Sequence, residues 1–322
     1  MRLFEHSDFD QAILATRDHL LAQGITLSEQ VLEKDYYVTE ALRILAGFGG
    51  DRVIFKGGTS LSKGWNLIHR FSEGIDIFLD PAVFDSSLSK RGIDRELKVL
   101  RDAVAAHPGL TYLAEPGQTI GGFGRSDYFT YEPRFVGAAL IAPRVLMETG
   151  TASGREPTED VSLTSYVARF LRETGQSLNA EDEAPFPMRL LHFRRTFVEK
   201  MFAIHSKIEI YKKEGRPLGS YARHYYDLYQ LAQQGAVRAL LETKEYNAIK
   251  EDYEKVSLAA FPQSYFRPDD LRFAQSDALF PPKELRSMIA AEYTAQCKLL
   301  CFGEYPFWEE VEACFSELRE AL

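Results

Sequence analysis

The sequence predicts an α+β chain in two parts, a mixed helix-and-strand part over residues 1–180 and a helical part over 181–322. Three observations carry this. Val53-Ile54-Phe55 is a short apolar run stopped by Gly57-Gly58, and a second run, Phe71 to Leu79, is closed by Pro81. A third strand-like run, Val145-Leu146-Met147-Glu148-Thr149, has an acid inside it. After the polar break NAEDEAP at 179–185, the remaining periodic segments have helical spacing.

Taken in order, residues 8–22 space their apolar side chains as an amphipathic helix, and Gly24 ends it. Thr26 and Glu29 form a capping-box pattern ahead of a second helix reaching Ala46. Its apolar stripe runs Val31, Val38, Leu42, Leu45, and Asp35 falls on that stripe, where an acid needs a partner. GFGGD at 47–51 is a turn. After the glycine pair a helix is expected from Thr59 to His69. Residues 87–106 read as helix, 108–124 as a loop or irregular hairpin, and 150–160 as a polar loop. Tyr128 to Phe135 and Val136 to Ile141 read as strands, and Thr164 to Leu171 fits either element. In the second part helices are expected over 193–213, 220–234, 236–258, 283–302 and 306–321.

Composition excludes several classes. Hydrophobic residues at 45% and charged residues at 26% suit a globular chain rather than a disordered one. The apolar runs are too short for a membrane span, and MRLFEHSDFDQAIL has no signal-peptide core, so no membrane partner and a cytoplasmic location are expected. A net charge of −9 argues against broad coating of nucleic-acid phosphates, and leaves room for a local basic patch or a basic protein partner. Cys297, Cys301 and Cys314 read as reduced, packed thiols. His69, His192, His205 and His224 lack metal-ligand spacing and read as packed or surface residues. Tyr225, Tyr226 and Tyr229 read as helix packing, though one ring could also stack on a base.

The chemistry-bearing residues begin at FKGGTSLSK, 55–63. Gly57 and Gly58 have no Cβ and let backbone approach a phosphate closely. Thr59, Ser60 and Ser62 offer amides and hydroxyls at a helix start, and Lys63 lies one turn after Ser60. The plain reading is a strand-to-helix turn with a surface lysine. Asp76 on the next strand suits a hard divalent cation, which phosphoryl transfer requires. Two acids separated by one residue on a strand would share a face, but the position two before Asp76 is Gly74. Glu73 points to the other face, and Asp80 is roughly 13 Å along the strand. Glu148 is a carboxylate in an apolar strand, to be explained by a metal, by a general-base role, or by an ion pair with Arg144 or Arg134. Lys200 shares a helix face with Ile204 and Lys207 and could meet a triphosphate or simply be solvated. Asp227, in HYYDLY, has Arg223 four residues earlier as a structural partner.

These residues together resemble the AbiEii/AbiGii family of toxin nucleotidyltransferases, which includes MenT-like toxins. The resemblance is carried by LEKDYYV at 32–38, FKGGTSLSK with RFSEGID at 70–76, the strand holding Glu148, and Glu199-Lys200 followed by YYDLYQL at 225–231. It implies a polymerase-β-like nucleotidyltransferase core with a mixed sheet, and a helical C-terminal domain that completes the nucleotide site. It implies Mg²⁺ (or Mn²⁺) and a nucleoside triphosphate. By matching positions, Gly57, Gly58, Thr59 and Ser60 would cradle phosphates with Lys63 assisting, and Asp76 and Glu148 would hold metal. Lys200 would meet the triphosphate and Asp227 would support the site. Members act in toxin–antitoxin or abortive-infection pairs, so a cognate antitoxin is an implied partner, and some add nucleotides to the acceptor end of tRNA. This chain departs from the family's SEDID at Gly74, where a metal-binding acid is lost.

Three functions follow as expectations. The first is transfer of a nucleoside monophosphate from a triphosphate to a hydroxyl acceptor, impaired by Gly74. The second is a catalytically silent nucleotide- or protein-binding member of the same fold. The third is a kinase, distinguished by which phosphate reaches the acceptor.

Overall fold

The computed structural model describes residues 1–72, 74–84, 88–136 and 141–322. Within them the chain forms a mixed seven-stranded sheet with helices, followed by a helical region, as the sequence predicts. It divides into two compact units. The first holds 1–64, 72–151 and 158–190; the second holds 65–71, 152–157 and 191–322.

In the first unit, α1 (Phe9–Ala22) and α2 (Glu29–Gly49) precede β1 (Val53–Lys56). The cap of α2 is Ser28, whose hydroxyl accepts from the Val31 N–H at 3.4 Å, rather than the expected Thr26. Next come the short α3 (Gly57–Thr59), β2 (Gly74–Leu79) and α4 (Lys90–Ala105). Then follow β3 (Thr111–Ile120), β4 (Gly124–Thr130), β5 (Arg144–Gly150), β6 (Thr158–Leu163), α5 (Tyr166–Glu173) and β7 (Phe186–Leu191).

The strand order is β3-β4-β5-β2-β1-β7-β6. β1 runs antiparallel to β2, while β2 with β5 and β1 with β7 are parallel. Pleating sends alternate side chains to opposite faces. Ile75, Ile77 and Leu79 of β2 and Val145 and Met147 of β5 are buried on one face, which α2 covers. Gly74 and Asp76 of β2 and Leu146 and Glu148 of β5 lie on the other.

Several local expectations are corrected. The helix placed over Thr59 to His69 ends at Gly64, because α3 passes directly into a π-helical turn, Ser60–Gly64. The Ser62 hydroxyl there donates to the Thr59 carbonyl at 3.2 Å, competing with the regular helical ladder. The strand expected from Phe71 begins at Gly74, and the one expected over Tyr128 to Phe135 is Gly124–Thr130. The irregular-hairpin alternative for 108–124 holds: β3 pairs with β4 across a register shift between Leu113 and Gln118. β6 arises where a polar loop was expected, since half of its side chains are exposed and its residues leave no apolar alternation. β7 carries Pro187, a residue that argues against a strand. Glu73 and most of the strand expected over Val136 to Ile141 lie outside the described residues.

The second unit contains α6 (Phe193–Glu214), α7 (Arg223–Ala232), α8 (Gly235–Leu240), α9 (Lys244–Ala260), α10 (Lys283–Leu300) and α11 (Trp308–Leu318). α7 packs on α6, α10 and α11, and α6 also packs on α8 and α9. Rings fill this core: Phe202 stacks on Tyr253 with centroids 4.5 Å apart, and Tyr225 sets its edge against Trp308 at 5.1 Å. Residues 65–71 join this unit through backbone bonds to the end of α10. The Phe71 N–H donates to Leu300 O at 2.8 Å, and the Phe302 N–H to His69 O at 2.9 Å.

Candidate functional site

The turn after β1 is built around Gly57, which has φ +77°. A Cβ there would stand 1.9 Å from Asp76 Oδ2 and 2.6 Å from its Cγ. Glycine is thus required twice, once by the left-handed backbone and once by the carboxylate lying against it. The hydroxyls that follow are committed to the turn itself. Thr59 Oγ1 donates to Gly74 O, linking the turn to β2. Ser60 is fully buried, and both its N–H and its hydroxyl turn back to Gly57 O, the hydroxyl at 2.9 Å.

Lys63 also has an internal role. Its Nζ donates to Asp35 Oδ1 at 2.6 Å and to Thr164 O at 3.2 Å. Asp35 Oδ2 accepts from the Tyr166 N–H at 2.9 Å, at the start of α5. The acid on the α2 stripe therefore has its partner, and the pair ties α2, the glycine turn and α5 together. Burial pushes the Lys63 ammonium down, and Asp35 opposes that.

Asp76 and Glu148 are brought level by the parallel pairing of β2 with β5. Residues directly paired across strands point to one face, with strands about 4.8 Å apart. The same level continues to Lys56 on β1, and to Ser126 on β4 with Gln118 on β3 beyond it. Asp76 is half-buried and Glu148 is exposed. The premise that Glu148 is a buried acid is corrected, because Val145, Met147 and Thr149 take the buried face of β5 and leave position 148 to the open one. Of the two arginines considered as its partners, Arg134 pairs with Asp10 at 2.8 Å. At Gly74 a Cβ would be 3.0 Å from Leu146 O and 3.1 Å from Leu146 Cγ, tight enough that β5 must give slightly to admit a side chain.

The donors suit a hard divalent cation, since Asp76 and Glu148 are two carboxylates on one face of adjacent strands. Among the described residues, no cluster of three His, Cys, Asp or Glu side chains forms a ready-made ligand set.

Lys200 and Asp227 meet in the second unit. Lys200 Nζ lies 2.8 Å from Asp227 Oδ2 and 3.0 Å from His224 Nδ1. Asp227 is fully buried and is clamped by Arg70, whose Nε reaches Oδ1 at 2.6 Å and Nη2 reaches Oδ2 at 2.7 Å. The partner foreseen in Arg223 is supplied by Arg70 and Lys200. Burial alone would raise the Asp227 carboxyl, but Arg70 and Lys200 outweigh it and hold it well below the usual range. Burial, with Arg70 and Arg223 nearby, pushes the Lys200 ammonium down against the pull of Asp227. Burial and then Lys200 push the His224 imidazole down to about 3, so it is neutral near pH 7. Sequence reasoning missed Arg70 and His224 as members of this cluster. A basic residue set in the apolar run before the second strand was the available signal for Arg70.

The mixed sheet, the glycine turn after its first strand and the strand carboxylates level beside it are consistent with a nucleotidyltransferase fold. The sequence model of the nucleotidyl transferase AbiEii toxin family, assigned to type IV toxin–antitoxin systems, matches residues 42–306, and the chain belongs to that family. LEKDYYV at 32–38, one of the segments behind the resemblance, precedes the matched span. No curated protein and no solved structure matches the chain. Among the described residues no helix is long and apolar enough to cross a membrane.

Proposed function

We propose that this chain moves a nucleoside monophosphate from a nucleoside triphosphate to a hydroxyl acceptor, with the 3′ end of tRNA as the first acceptor to examine. The observation that supports it most is the pair Asp76 and Glu148, level on one sheet face, with Asp76 lying against the Cβ-less Gly57. In this reading the acceptor oxygen bonds to the α-phosphorus, the α–β bridging bond breaks, and pyrophosphate leaves. The acceptor proton passes to a carboxylate, with the exposed Glu148 as the candidate base. Asp76 and Glu148 would hold Mg²⁺ or Mn²⁺, which when bound supplies charge neutralisation for the phosphates. Gly57 and Gly58 bring backbone close to the triphosphate, while Thr59, Ser60 and Lys63 shape the turn. Lys200 is assigned to the triphosphate and Asp227 to its support. A cognate antitoxin is the expected protein partner, and the cytoplasm the expected location.

Incubation with Mg²⁺, total tRNA and either α- or γ-labelled triphosphate tests this reading. Label from the α position alone supports it; label from the γ position would replace it with a kinase. Gly74 favours a second reading, a member that binds nucleotide or protein without catalysis. That reading gains if Gly74→Asp binds triphosphate yet labels none of a panel of hydroxyl acceptors.

A further inference from the structure

The Arg70–Asp227–Lys200–His224 cluster contains more organisation than a lysine meeting a phosphate requires. A lysine ammonium has three N–H donors and a flexible stem, so its direction is ordinarily poorly fixed. Here two donors are engaged, by Asp227 Oδ2 and by His224 Nδ1, which leaves one. For Nδ1 to accept, the imidazole must be neutral with its proton on Nε2. Asp227 cannot swing, because the fully buried Arg70 holds both of its oxygens. The clamp is anchored in turn by the pairing of Arg70 with Cys301 and by the Arg70 Nη1–H donating to Phe71 O at 2.9 Å.

Charge supports the same view. Arg70 and Lys200 bring two positive charges against the single negative charge of Asp227, and His224 adds none while neutral. A buried excess of positive charge is costly unless an anion answers it. The groups facing Lys200 are Arg70, Asp227, His224 and Arg223. Those facing His224 are Lys200, Asp227, Arg223 and the Tyr221 ring.

We propose that Arg70 and His224 are positioning residues for Lys200, Arg70 by fixing Asp227 at two points and His224 by accepting from the ammonium, so that the remaining N–H is aimed at an anionic phosphate. The ligand in this statement rests on the reading of Lys200 given above.

The first test is equilibrium binding of Mg·ATP and Mg·GTP to the full chain. Arg70→Lys keeps the charge but cannot grip both oxygens. It is expected to weaken binding about tenfold, the size of a lost charge-assisted hydrogen bond. Combined with Lys200→Ala it should cost little beyond Lys200→Ala alone, since both act through one group. His224→Asn retains an acceptor near Nδ1 and should bind close to wild type, whereas His224→Leu should not. Full affinity in Arg70→Lys, or losses that simply multiply, would overturn the positioning role. The second test needs no nucleotide: acetylation of Lys200 by acetic anhydride, followed by mass spectrometry. Arg70→Lys and His224→Leu should raise Lys200 labelling severalfold, and His224→Asn should not. Unchanged labelling in folded variants overturns the inference. Altered labelling with nucleotide affinity insensitive to Lys200→Ala would keep the positioning and remove the phosphate reading instead.

Discussion

At the scale of single residues, the contact between Gly57 and Asp76 sets the sharpest expectation. Gly57→Ala forces a Cβ into the Asp76 carboxylate on a left-handed backbone, so the carboxylate must rotate away. The substitution should lower stability by about 1–3 kcal/mol, read by urea unfolding, and reduce triphosphate affinity in parallel. Wild-type affinity in a folded Gly57→Ala protein would separate this turn from the nucleotide. Asp76→Asn should leave the fold intact and remove most labelled transfer, by a factor on the order of a hundred or more, since charge stabilisation dominates such chemistry. Gly74 stands where the family resemblance implies an acid, and the structure adds that its Cβ position is crowded by Leu146 O. A restored Gly74→Asp therefore requires a small shift between β2 and β5. The glycine pair and Asp76 were legible because turns and strand acids leave local marks. The commitment of the Ser60 hydroxyl to Gly57 O was not, because serine carries the same letter whether it faces ligand or backbone.

At the scale of elements, the pair Asp35–Lys63 joins α2 to the glycine turn, and Asp35 also receives the first amide of α5. Asp35→Ala would leave a buried ammonium without its carboxylate. It should destabilise the protein by about 3 kcal/mol in chemical unfolding, the usual penalty for breaking one side of a buried pair. A loss below about 1 kcal/mol would show that the pair is solvated instead. Sequence reasoning found Asp35 on its apolar stripe and inferred that it needed a partner. It could not name Lys63, because that lysine was expected on a longer helix than the π turn allows. It also could not align Asp76 with Glu148, since parallel strands are joined by long connections and periodicity holds no register across them. β7 escaped for a chemical reason, its Pro187, and β6 because its exposed polar side chains have no alternation to detect.

For the molecule as a whole, acid stability is expected to depend on buried histidines. His107 Nδ1 accepts from the Gly109 N–H at 3.0 Å, and burial, then Arg2, pushes the imidazole down to about 3 from an ordinary 6.5. Between those values the unfolded chain binds a proton that the folded one refuses. Stability from this group is therefore complete above about pH 6.5 and falls as pH drops toward 3, at about 1.4 kcal/mol per unit for one proton. Glu33 and Glu40, raised chiefly by burial, act in the opposite sense above their ordinary range, so the histidine is isolated by difference. His107→Gln should flatten the fall in urea midpoint from pH 6.5 to 4.5, and an identical slope in both proteins would exclude the assignment.

The two-part order of the chain, strands with helices and then helices, was legible in outline, because most elements bury an apolar face with its own period. The long-range partners of charged groups, Arg70 with Asp227 above all, were not, since pairing across a fold leaves no periodic trace. The central claim is that the level carboxylates Asp76 and Glu148 serve nucleotidyl transfer. The most direct test is transfer from α-labelled triphosphate to total tRNA with Mg²⁺, comparing the chain, Gly74→Asp and Asp76→Asn in one assay. The account predicts label on tRNA from Gly74→Asp at least equal to that from the unaltered chain, and label lowered on the order of a hundredfold or more in Asp76→Asn. Label undiminished by Asp76→Asn, or no label from Gly74→Asp despite triphosphate binding, would contradict it.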